Sequence, residues 1–187
     1  MWKIDYDKVS SERIKQVGED ALAFKEQGFH CSESLIRAVW PYVLPERALS
    51  DDVLRIIMPF RGGISGSTSS HCGGLTVGVA LAGAIYGRLK TDEDPKLASS
   101  VVRMYWRIYL ENFGTSNCTL LRRDEPGPEA PSICGCLIAR AARLMVAYFD
   151  SLKMDMPPLE EVYAWTVDRS QEPCHERVVP MWPNDEH

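Results

Sequence analysis

The chain has 187 residues, of which 45% are hydrophobic, so it can form one domain with a substantial core. Its net charge of −5 disfavours a protein that binds the nucleic-acid backbone. The uncharged apolar stretch at residues 75–87 is too short to span a membrane, and the charged N-terminus is not typical of a signal peptide. We therefore expect a cytoplasmic protein without structural disulfides.

The first half of the chain contains three predicted helices. Apolar residues recur at helical spacing over residues 9–27, and a second helix begins at Cys31 and ends at Pro41. A third helix covers residues 51–57, with Ser50 as its N-cap. A loop rich in glycine and serine follows over residues 61–70.

The second half is also helical in pattern. Helices are predicted over residues 73–88, 95–112, 118–122, 133–149 and 158–169. The first of these is apolar on every side, which predicts a place at the centre of the bundle. Asp94 and Pro95 supply an N-cap and a proline at the first helical position. No segment alternates like a strand, so we predict an all-α fold: one bundle of four to five main helices over residues 1–170, and an irregular tail over 171–187.

Four cysteines share a position in this pattern, because Cys31, Cys72, Cys118 and Cys134 each lie where a helix is predicted to begin. A helix N-terminus offers unpaired N–H groups and a positive dipole end, which favour a thiolate over a thiol. Any one of them could instead be a buried small hydrophobe. The shared placement predicts that the four sulfurs converge at one end of the bundle.

Cys72 has the most unusual surroundings. Three glycines precede it in the loop, and Gly73 and Gly74 follow it directly. Glycine lets backbone N–H groups approach a cluster, an anion or a reactive sulfur, although a flexible connector would look similar. His71 precedes the cysteine and could tune its thiolate, whereas chance adjacency is the alternative.

The order of these motifs resembles a known family. FRGGI at residues 60–64 and CGGLT at residues 72–76 are similar to the core of the redox-active proteins named for a C…GCAxxG…C…C pattern. Cys31 matches the lone upstream cysteine of that pattern, and Cys118 and Cys134 match the two downstream, so the resemblance covers about residues 24–144. His71 stands where the pattern has glycine. The family resembles the cysteine-bearing helical part of split-Soret cytochromes, where an iron–sulfur cluster is expected.

The resemblance implies a redox protein. We expect a 2Fe–2S or 4Fe–4S cluster on four thiolates, Cys31, Cys72, Cys118 and Cys134, for electron transfer or redox sensing. Gly63, Gly73 and His71 are the expected cofactor-binding residues beside it. A thiol–disulfide oxidoreductase with Cys72 as attacking thiolate, or structural zinc, are the alternatives. A redox protein partner is expected, and a homodimer stays open.

Residues outside this four-cysteine set receive more ordinary interpretations. Cys136 lies two residues after Cys134, a turn of roughly 200° on a helix, so we expect it in the core. Cys174 in the tail is expected to be exposed. Arg140 and Arg143, at i,i+3 spacing, indicate a solvated helix face. Docking an acidic partner or balancing an anionic cluster is the alternative for this pair.

Overall fold

A computed structural model describes residues 2–122 and 133–158. These residues contain helices and no strand, as predicted for an all-α bundle. In chain order the helices are α1 (Ser11–Glu26), α2 (Cys31–Val43), α3 (Asp51–Ile57), α4 (Gly73–Tyr86), α5 (Lys96–Phe113), α6 (Cys118–Arg122) and α7 (Ile133–Met154). A 3-10 turn, Met58–Phe60, continues α3. The predicted helix over 158–169, the tail and Cys174 lie outside the described residues, apart from Pro158 itself.

Side-chain caps fix the starts of several helices. The Ser50 hydroxyl accepts a hydrogen bond from the Val53 amide at 3.3 Å, which confirms the predicted cap of α3. At α5 the Asp94 carboxylate accepts from the Lys96 amide at 2.8 Å. Pro95, however, occupies the N-cap position instead of the first helical one, so α5 begins at Lys96, later than predicted.

Two predicted helix ends are too early. Pro41 lies inside α2, which continues to Val43, because a proline removes one hydrogen bond without preventing the last half-turn from forming. Helix α7 was predicted to end at residue 149 and extends to Met154. Ser151 and Leu152 in this extension are buried, so packing carries the helix past the point where the clearest periodicity stops.

Helix α7 lies at the centre of the bundle, packed against α1, α2 and α4. Its buried side chains run from Ile138 to Leu152. The prediction that helix 73–88 is central was wrong: α4 packs mainly between α5 and α2, and it exposes Ala80 and Gly83. Alanine and glycine make α4 apolar on every side, but such small residues can be exposed to solvent, so the pattern does not require every side of the helix to be buried. None of the helices in the described residues is long and apolar enough to cross a membrane.

Candidate redox site

The N-terminal ends of α2, α4, α6 and α7 meet around one cavity of about 30 Å³. Cysteines from all four helix starts contribute to its wall: Cys31, Cys72, Cys118 and Cys134. The remaining wall comes from backbone at two glycines, from four apolar side chains and from one arginine: Gly62, Gly74, Leu35, Leu121, Leu137, Ile138 and Arg122. The structure therefore brings together cysteines that are as far apart as 103 positions in the sequence.

Short backbone pairing places Cys72 beside Cys118. The Cys72 amide donates to the Ser116 carbonyl at 2.7 Å, and the Cys118 amide donates to the Ser70 carbonyl at 2.9 Å. These bonds flank an isolated antiparallel bridge between His71 and Asn117. The start of α4 and the start of α6 are thereby fixed to each other by main-chain contacts, which do not depend on side-chain rotamers.

Hydrogen-bond donors reach the sulfurs of Cys31, Cys72 and Cys118. The Gly62 amide donates to the Cys31 sulfur and the Gly74 amide to the Cys72 sulfur, each at 3.4 Å. The Tyr109 hydroxyl is a second partner of Cys72. Arg122 is a partner of Cys118, four residues away on α6. Donors of this kind stabilise negative charge on sulfur when the thiols lose their protons.

Burial nevertheless favours the protonated thiol at Cys72 and Cys118, because it raises the pKa of both groups. Desolvation raises the pKa of Cys72 to about 11, because it outweighs the lowering by the Gly74 amide and the Tyr109 hydroxyl. Burial also raises the pKa of Cys118, with the neighbouring cysteines adding to the effect. The prediction that a helix start would favour the thiolate was therefore wrong for these two residues. The dipole and amide donors are present, but the loss of hydration is larger.

Gly63 and Gly73 lie beside the cysteines, although neither forms the cavity wall. A Cβ at Gly73 would lie 2.8 Å from the Cys31 sulfur, and one at Gly63 would lie 2.9 Å from the Cys118 Cβ. Gly63 also has a φ of +63°, which an L side chain rarely adopts. Both glycines thus provide the clearance that lets a cysteine approach. The amides that face sulfur belong to their neighbours, Gly62 and Gly74.

His71 and Cys136 lie away from the cavity. The His71 Nδ1 and the Ser116 hydroxyl are 2.9 Å apart, and the His71 ring packs edge-on against Trp106, so His71 braces the backbone bridge. Cys136 is exposed and does not line the cavity. The expectation that it packs in the core was wrong, because that face of α7, shared with Arg140, is turned to solvent.

The model of a family described as "Putative redox-active protein (C_GCAxxG_C_C)" matches residues 29–148, which is well over half of the chain and includes all four cavity cysteines. The chain belongs to this family. No curated protein and no solved structure matches the chain. Membership in the C_GCAxxG_C_C family confirms the resemblance that the cysteine order indicated, and it supports a redox role.

The donor set of this family member fits an iron–sulfur cluster in its chemistry. Four thiols surround one cavity, and amide donors face two of the sulfurs. Within residues 2–122 and 133–158, no group of three or more His, Cys, Asp or Glu residues is placed to hold a metal ion. In a cluster, each cysteine binds one of several iron atoms, so the sulfurs need not share a single coordination sphere.

Several residues of the site were not identified from sequence. Glycine pairs flank the site at Gly62-Gly63 and Gly73-Gly74, but sequence cannot say which amide of each pair faces sulfur. Tyr109 carries a usable signal, because a tyrosine on the apolar stripe of a helix needs a partner for its hydroxyl. Arg122 is four residues after Cys118, which places both on one face of a helical turn.

Proposed function

We propose that this chain binds an iron–sulfur cluster through Cys31, Cys72, Cys118 and Cys134 and exchanges electrons with a redox protein partner. The observation that carries the proposal is the cavity to which four separate helix starts each contribute one cysteine. When bound, such a cluster accepts and donates single electrons. The protein supplies the thiolate ligands, excludes water and surrounds the sulfurs with donors.

The donors explain how this chain could control the potential of the cluster. Amides of Gly62 and Gly74 point at the Cys31 and Cys72 sulfurs. Hydrogen bonds to sulfur stabilise the more negative, reduced state, whereas burial of the site disfavours added charge. Because both amides belong to the main chain, this contribution depends on the loop conformation and not on side-chain identity.

The thiol–disulfide alternative receives less support. Its mechanism needs an attacking thiolate, whereas burial raises the pKa of Cys72 to about 11 and so keeps the thiol protonated near neutral pH. A two-cysteine mechanism also gives no reason for four cysteines to share one cavity. Metal binding tolerates a raised thiol pKa, since the ion displaces the proton, and loading then weakens as the pH falls.

The test is anaerobic purification followed by visible absorption spectroscopy. We expect sulfur-to-iron charge-transfer absorption in the native chain, and its loss in Cys72→Ser and Cys134→Ser, because serine is a poor ligand for a soft metal. Cys136→Ser is the matched control: the same substitution on α7, at an exposed position outside the cavity. An absorbing native protein whose colour survives in Cys72→Ser would contradict the ligand set.

A further inference from the structure

A second cavity, of about 230 Å³, lies between α1, α5 and α7. Two arginines of α7, Arg140 and Arg143, line it together with Tyr6 and the apolar side chains of Ile14, Phe113 and Leu144. It shares no residue with the four-cysteine cavity. Among the residues that the structure describes, no acidic side chain contributes to its wall.

Gly18 of α1 leaves space for the side chain of Arg143. A Cβ at Gly18 would overlap the Arg143 Nε, so the guanidinium packs against α1 at a position where residue 18 has no side chain. A glycine in the middle of a helix is destabilising relative to alanine, and here it provides space for a charged group. The Nε atom is buried and has no hydrogen-bond partner in the described parts of the chain.

Arg140 presents its charge to the same cavity. It donates from Nη2 to the Asn112 carbonyl at 2.9 Å, and its guanidinium lies over the Phe113 ring at 4.8 Å. Arginines elsewhere pair with carboxylates, as Arg13 does with Asp150 and Arg107 with Glu111. Neither Arg140 nor Arg143 forms an ion pair with an acidic residue that the structure describes.

We propose that this cavity binds a small organic anion: a carboxylate or phosphate group, held by Arg140 and Arg143, on a compact apolar body. A guanidinium presents its N–H groups in a fork that matches either group in a bidentate manner. Phe113 and Leu144 give the apolar body a surface to contact, and a cavity of this size admits only a small molecule.

The experiment titrates the full-length chain with phenyl phosphate, benzoate and the neutral analogue benzyl alcohol by isothermal calorimetry. We expect saturable binding of one anion per chain and none of the alcohol. Whichever anion binds more tightly identifies the preferred group. Arg143→Gln should weaken binding at least tenfold. The control Arg55→Gln, on exposed α3 and outside the cavity, should leave binding unchanged.

Arg143→Lys separates a built cavity from general attraction to positive charge. Lysine keeps the charge but lacks the planar fork, so this variant should weaken binding about as much as Arg143→Gln does. Binding to Arg143→Lys as tight as binding to the native chain would overturn the proposal. Absence of saturable binding, equal binding of benzyl alcohol, or equal losses in Arg55→Gln and Arg143→Gln would each overturn the proposal.

Discussion

Substitution of Gly63 by alanine tests how the loop before α4 holds Cys118. The backbone at Gly63 has a φ of +63°, and a Cβ there would lie 2.9 Å from the Cys118 Cβ and 3.0 Å from the Thr68 Cα. A side chain in the left-handed region costs roughly 1–2 kcal/mol. Overpacking against atoms that cannot rotate away adds about 1–3 kcal/mol. Gly63→Ala should therefore lower the free energy of unfolding by about 2–5 kcal/mol.

Gly66→Ala is the matched control for this substitution. Gly66 lies in the same loop with a φ of +83°, but a Cβ there would meet only the end of the Arg61 side chain at 3.9 Å. Gly66→Ala should therefore lower the free energy of unfolding only by the cost of the left-handed backbone, about 1–2 kcal/mol. Urea denaturation of both variants measures the difference, which isolates the contact with Cys118 and Thr68. Equal losses in the two variants would refute the claim that Gly63 provides clearance for Cys118.

Three further predictions concern the cysteines and their partners. Cys136→Ala should change the free energy of unfolding by no more than about 0.5 kcal/mol, because the side chain is exposed and its removal leaves no cavity. A loss above about 1 kcal/mol, measured by urea denaturation, would contradict this. In the reduced, metal-free protein, the alkylation rate of Cys72 should keep rising with pH up to the raised pKa of about 11, because burial favours the thiol over the reactive thiolate. A rate that stops rising below pH 9 would contradict this. Tyr109→Phe should shift the same profile to higher pH by removing a donor to the thiolate, whereas Tyr148→Phe, whose hydroxyl donates to the Val101 carbonyl, should not.

Helix starts were the most predictable part of the site. Caps and breakers act within a few residues, so the sequence around Ser50 and Cys72 was sufficient to place the starts of α3 and α4. The convergence of four such starts on one cavity followed from their shared chemistry and from the family pattern. The pairing of residues 70–72 with 116–118, which fixes two of these starts, has no local sequence signal.

The sequence did not predict which helices and side chains are buried. Periodicity reports which residues are apolar and not which helix covers them, so α4 was placed at the centre that α7 occupies. The same difficulty affected Cys136, whose face of α7 is exposed. For Cys72 a glycine amide near the sulfur was expected, but the pKa depends on a balance with desolvation, and the burial that causes it is not visible in the local sequence.

The central claim is that four cysteines around one cavity hold an iron–sulfur cluster. The most direct measurement is the iron, acid-labile sulfide and zinc content per chain after anaerobic purification. The account predicts iron and sulfide in equal amounts, about two or four of each per chain, with zinc far below one. One zinc per chain without iron, or neither metal together with a disulfide between cavity cysteines, would contradict it.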